Sequence, residues 1–121
     1  MDIRKLQKIV VNALEDIKGK DIEVINTTKL TSMFDRLVIA TGDSNRQVKA
    51  LAQNVQDKVR EAGGEVLSTE GENTGEWVLV DLGDIVVHVM QPTVRQYYNL
   101  EELWQATPAQ RRKAAEQAAG E

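Results

Sequence analysis

Residues 76–82 (EWVLVDL) and 85–90 (IVVHVM) are two strand-like runs separated only by Gly83–Asp84, the clearest hairpin signal in the sequence. A two-residue turn fixes the register. Leu82 opposes Ile85, Val80 opposes Val87 and Val78 opposes Val89, so one face is wholly aliphatic and has to be covered. The other face sets Trp77 beside Met90, Leu79 beside His88 and Asp81 beside Val86. A face mixing Trp, Met, His and Asp either lies under a helix or stands as a platform. An aromatic anchor with a charged rim is the composition of a protein-binding patch. A slip of one residue would exchange the two faces.

The rest of the chain supplies partners for this hairpin. Asp2 caps an amphipathic helix whose stripe is Ile3, Leu6, Ile9/Val10, Ala13/Leu14 and Ile17, with Gly19 at its end. Residues 21–26 (DIEVIN) read as a strand and 27–35 as polar and irregular. The nearly continuous apolar run 36–41 (RLVIAT) reads as a strand buried on both faces. After Gly42, Asp43 and Ser44, a second helix runs to about Glu61, with Val48, Leu51/Ala52, Val55 and Val59 as its stripe and Gly63–Gly64 as its stop. Residues 65–69 (EVLST) form a further strand and 70–75 a glycine-containing loop. After Gln91–Pro92, Thr93 caps a helical stretch to about Trp104. The order α-β-β-α-β-β-β-α gives a single domain over residues 1–105: an α/β (mixed α+β) fold with a mixed five-stranded sheet and flanking helices. The helix between 36–41 and 65–69 is suited to a parallel crossover. The tail 106–121, rich in Ala, Gln and charge, has little to bury and is expected to be loosely ordered.

Composition removes several function classes. The 121 residues contain no cysteine and one histidine, which excludes a disulfide scaffold, a thiol nucleophile and a cysteine- or histidine-rich metal site. No apolar run approaches the roughly 18 residues of a membrane span. Without a signal-like N-terminus, the expectation is a soluble cytoplasmic protein with no membrane partner. The net charge of −4 is unevenly placed: from Glu61 to Val94 there is no Lys or Arg but seven acids, giving −7 there and +3 elsewhere. Such a region repels phosphate backbones, which argues against specific nucleic-acid binding through it, and attracts basic surfaces. The plain alternative is a solvated acidic face.

The possible chemistry is thin. Residues 41–44 (TGDS) join a buried strand to a helix N-terminus, where α/β proteins bind anions, but the fuller glycine patterns are missing and Asp43 repels phosphate. Ser44 or Asn45 as a helix cap is the simpler reading. Asp81 and Asp84, three apart, cannot share a strand face to hold a metal. His88 has no second ligand nearby in sequence, and Ser44 lacks the nucleophile-elbow pattern. Arg95, Tyr97 and Tyr98 are candidates for nucleotide stacking; packing of one tyrosine on the sheet and pairing of Arg95 with Glu101 or Glu102 account for them equally well. The residues give no catalytic, cofactor or metal constellation.

Three motifs in order then carry a resemblance: residues 38–55 (VIATGDSNRQVKALAQNV), 70–91 (EGENTGEWVLVDLGDIVVHVMQ) and 95–104 (RQYYNLEELW), with 18–25 (KGKDIEVI) fitting as well. The chain resembles the ribosomal silencing factor family, also called RsfS or Iojap, over about residues 2–105. It departs at Arg36, where the family often has an aromatic after the retained Asp35. The resemblance implies a nucleotidyltransferase-like fold without its catalytic residues, and a non-enzymatic protein. It also implies binding to ribosomal protein number fourteen of the large subunit, which blocks joining of the small subunit and represses translation under nutrient limitation. Trp77, Leu82 and Tyr98 match positions used against that partner; Asp81 and Met90 are adjacent candidates, and Glu70 is an acidic contact. Homodimerisation through the same patch is a further implication. Two alternatives stand beside this: a large-subunit assembly factor, and a nucleotide-binding transferase with Ser44 and Asp81 near its site.

Overall fold

The computed structural model describes residues 1–105. Helix α1 (Ile3–Asp16) starts where Asp2 accepts a hydrogen bond from the Arg4 amide at 2.9 Å, and it buries Leu6, Val10, Ala13 and Leu14. Its exit is made by Lys18, at a left-handed φ of 60°, rather than by Gly19. Gly19 matters for closeness instead: a Cβ there would stand 3.0 Å from the Leu14 carbonyl oxygen and 3.1 Å from a Leu51 methyl. Strand β1 (Lys20–Asn26) pairs antiparallel with β2 (Arg36–Thr41).

Strand β2 is buried from Leu37 to Thr41, as its unbroken apolar run requires. Val38 and Ala40 enter one core, Leu37 and Ile39 the other. Helix α2 (Asn45–Glu61) follows, capped by the Ser44 hydroxyl, which accepts from the Gln47 amide at 3.1 Å. It buries Val48, Leu51, Ala52, Val55 and Val59 together with Gln56.

Strand β3 (Ser68–Glu70) is shorter and later than the expected 65–69, so Glu70 belongs to a strand and not to the following loop. Its pairing begins only where the Leu67 amide reaches the Asp81 carbonyl at 2.8 Å; the residues just after Gly63–Gly64 are still clearing the end of α2. Strands β4 (Trp77–Asp81) and β5 (Ile85–Met90) pair in the register that the two-residue turn dictates, Trp77 opposite Met90 and Asp81 opposite Val86. The Leu82 amide bonds the Ile85 carbonyl at 2.9 Å, with Gly83 at φ 90°.

The sheet order is β1-β2-β5-β4-β3, with only β2 and β5 parallel. The parallel neighbour of β2 is therefore β5, not the strand that directly follows α2. A β2 buried on both faces needs a neighbour apolar on both faces. The edge strand β3 (STE) cannot serve, whereas IVVHVM does. Helices α1 and α2 cover the face bearing Val78, Val80, Leu82, Ile85, Val87 and Val89, which is the main core. The other face carries a smaller core of Ile25, Leu37, Ile39 and Met90.

The last segment covers part of that second face. It is two short helices, α3 (Pro92–Tyr98) and α4 (Leu100–Gln105), where one was expected. Asn99 takes a left-handed conformation between them (φ 48°), which Asn tolerates better than most residues. Pro92 opens α3 behind Gln91, so Thr93 is not its cap. Arg95 fastens this segment: it ion-pairs with Glu101, donates to the Thr41 hydroxyl at 2.8 Å and lies 3.7 Å from Glu23. The tail expected to be loosely ordered lies outside the described residues.

Candidate functional site

The mixed face of the hairpin is both partly covered and partly a platform. Trp77 opens β4 half-buried, and its indole Nε1–H donates to Nδ1 of His88 at 2.9 Å. Tyr98 lies against the indole with ring centroids 4.7 Å apart at 49°, and Tyr97 meets Tyr98 edge-on at 5.0 Å. Tyr98 remains 53% exposed and Tyr97 82%. The position of α3 follows from the backbone: the Gln91 amide bonds the Glu76 carbonyl at 3.0 Å, and Pro92 then starts the helix beside Trp77. On the far side, Gly71 lets its loop press onto β4. A Cβ there would fall 2.0 Å from the Trp77 carbonyl oxygen, and φ is +87°.

Trp77 stands between two depressions. One, of about 370 Å³, is bounded by Glu76, Thr93, Val94, Tyr97 and Tyr98. The other is a larger apolar groove of about 530 Å³ walled by Phe34, Leu79, Val86, Leu100 and Trp104, with Met33 and Leu67 at its rim. Phe34 and Trp104 meet edge to face at 5.2 Å. His88 and Asp81 are the titratable groups lining this groove. Burial pushes the His88 pKa down to about 4, so the imidazole is neutral at pH 7.

The expected site residues separate by depth. Trp77 and Tyr98 are in contact and both reach the surface. Asp81 lines the groove with one carboxylate oxygen accepting from the Gly83 amide at 2.8 Å. Glu70 is exposed on the edge strand, opposite Leu79. Leu82 is buried in the main core on the opposite side of the sheet, and Met90 is fully buried in the smaller one. Leu82 backs the hairpin from the main core, whereas Met90 packs beside Trp77 on the site's own face. Met33, Phe34 and Leu67 were missed because they sit in segments read as an irregular loop and a different strand. The one sequence signal was an apolar Met-Phe pair stranded in a polar stretch.

The TGDS turn is a cap. The Gly42 amide goes to the Met90 carbonyl at 3.0 Å and the Asp43 amide to Gln47 Oε1 at 2.7 Å, so neither is left to hold a phosphate. Nearby, Lys20 pairs with Asp43, and Arg95 with Glu101. Among the described residues no group of three or more His, Cys, Asp or Glu side chains could hold a metal ion, and no helix is long and apolar enough to cross a membrane.

The comparisons agree with this architecture. The family model described as "Ribosomal silencing factor during starvation" matches residues 1–121, extending past the motif-bearing stretch that ends near Trp104. A Ribosomal silencing factor RsfS from Chromobacterium violaceum is 61% identical over 104 residues, covering 86% of this chain and 85% of that protein. One from Zymomonas mobilis is 42% identical over 103 residues, covering 85% and 77%. A crystal structure of a Chromobacterium violaceum protein has a TM-score of 0.86 at 59% identity, covering 88% of this chain and 89% of that one. Motifs, sheet order and these matches converge: the chain belongs to the RsfS family of ribosomal silencing factors.

Proposed function

We propose that this protein acts in the cytoplasm by binding the large ribosomal subunit through its ribosomal protein number fourteen, thereby blocking subunit joining and repressing translation under nutrient limitation. Family membership supports the ribosomal part of this reading. The observation that carries the surface is the half-buried Trp77 against the exposed Tyr98, beside a 530 Å³ apolar groove, with Trp77 inside the 61–94 stretch that has seven acids and no Lys or Arg. Ribosomal proteins are basic, so the acids steer encounter while the aromatic pair supplies short-range affinity. In this reading Trp77 and Tyr98 make the contact, Asp81 and Glu70 form its acidic rim, and Leu82 and Met90 support it from the cores. Occlusion needs no catalysis; a protein occupying the subunit interface competes by mass action. The same exposed patch supports self-association when no ribosome is present.

The test is to add purified protein to separated subunits and follow their association by gradient sedimentation. Whole ribosomes should decline as protein is added, and unchanged association at saturation would overturn the reading. Trp77→Ala should weaken large-subunit binding by about 2 kcal/mol or more, as loss of a buried anchor does. Co-sedimentation of that variant at wild-type strength would remove Trp77 from the interface.

A further inference from the structure

Trp77 carries one polar atom, its indole N–H, and that atom is not offered outward. It donates to Nδ1 of His88 at 2.9 Å, across the adjacent strand of the hairpin. His88 sits two register positions from the Trp77–Met90 pair, on the same face, opposite Leu79 on one side and Ile39 on the other. It is only 9% exposed and is surrounded by apolar neighbours in the larger groove. A histidine placed here is costly unless something uses its nitrogens, since a valine would pack at least as well. The use on view is to accept from Trp77. The indole is thereby held between the imidazole (centroids 5.7 Å apart) and the Tyr98 ring (4.7 Å).

We propose that His88 is a positioning residue for ribosome binding: its neutral, Nε2-protonated imidazole accepts the Trp77 indole hydrogen and fixes the ring in the orientation the partner meets. This rests on the reading of Trp77 as an interface anchor. Two physical consequences follow. An acceptor at Nδ1 requires the proton to sit on Nε2, so the hydrogen bond selects one tautomer. A prefixed aromatic side chain also spares the ordering cost that a free rotor incurs on binding. With its donor satisfied internally, Trp77 engages the partner through apolar area, which suits a contact that has to be desolvated.

The test uses the full chain and purified large subunits. Asn at 88 keeps an acceptor near the Nδ1 position, whereas Phe keeps the ring and removes the acceptor. Binding by His88→Asn should stay within about threefold of wild type, and His88→Phe should bind roughly tenfold more weakly with its circular dichroism unchanged. In the Trp77→Phe background, which has no indole donor, His88→Phe should add nothing further. Wild-type binding by His88→Phe while Trp77→Phe is impaired overturns the positioning role alone; wild-type binding by both overturns the anchor reading beneath it. Should His88→Phe not fold, the unmodified protein still decides: long-range proton–nitrogen correlation at pH 7 should show the Nε2–H tautomer, and the Nδ1–H tautomer would sink the proposal.

Discussion

A buried neutral histidine makes the fold acid-sensitive in a calculable direction. In the unfolded chain His88 titrates near 6.5, while burial holds it at about 4 in the fold. As pH falls, the unfolded chain takes up the proton first, so the stabilisation is complete above about pH 6.5 and is lost progressively down to about pH 4. By then roughly 3 kcal/mol is gone, on the rule of 1.36 kcal/mol per pKa unit. Other groups contribute to acid sensitivity as well, so His88 is isolated by comparison with a variant that lacks its imidazole. Urea unfolding at pH 7 and pH 4.5 should show wild type losing about 2 kcal/mol more than His88→Asn. Equal losses would show that His88 is not buried as described. Protonation would also place a hydrogen on Nδ1, where the Trp77 bond needs a lone pair.

Among the helices, α3 has no buried residue, and one side chain ties the α3–α4 segment to the sheet. Arg95, 13% exposed, joins α3 to Glu101 in α4, Thr41 at the end of β2 and Glu23 in β1. Arg95→Met should cost about 1.5–3 kcal/mol, the range for hydrogen bonds to charged groups. Amide exchange should quicken over residues 92–105 and stay slow in α2, because the segment can open without the main core. Unaltered exchange in α4 would mean that Leu100 and Trp104 hold it unaided. The sequence offers Glu101 or Glu102 as partners for Arg95, and the structure selects Glu101; the reach to Thr41 is not legible, because those residues are 54 positions apart in sequence.

For the molecule as a whole, charge placement governs encounter. The window from Glu61 to Val94 puts Glu76 at the surface beside the aromatic pair, Glu70 at the surface on the edge strand and Asp81 in the groove. Steering by such a field is screened within about 8–10 Å at physiological salt. The association rate with large subunits should therefore fall on the order of tenfold between low and moderate ionic strength. The double change Glu70→Gln and Glu76→Gln should lower that rate and leave dissociation nearly untouched, measured by stopped-flow or surface-binding kinetics. A salt-independent rate would identify the acids as a merely solvated face.

The sequence by itself determined what depends on neighbours in the chain. Asp2 and Ser44 cap their helices, both helical stripes bury as spaced, and Gly83–Asp84 sets every pair of the hairpin. The alternation of the hairpin likewise put Trp77 on the mixed face, whereas Tyr98 entered as a candidate contact only through the family resemblance. Tertiary structure alone decided which strand runs beside β2, since that choice turns on burial of both faces and not on order in the chain. It also decided depth. Met90 and Leu82 look as available as Trp77 in a strand pattern. Whether such a side chain meets water depends on what packs across the sheet: α1 and α2 on one face, residues 92–105 on the other. The groove needed the fold most, because Phe34, Leu79 and Trp104 converge there from three segments with no common local signal.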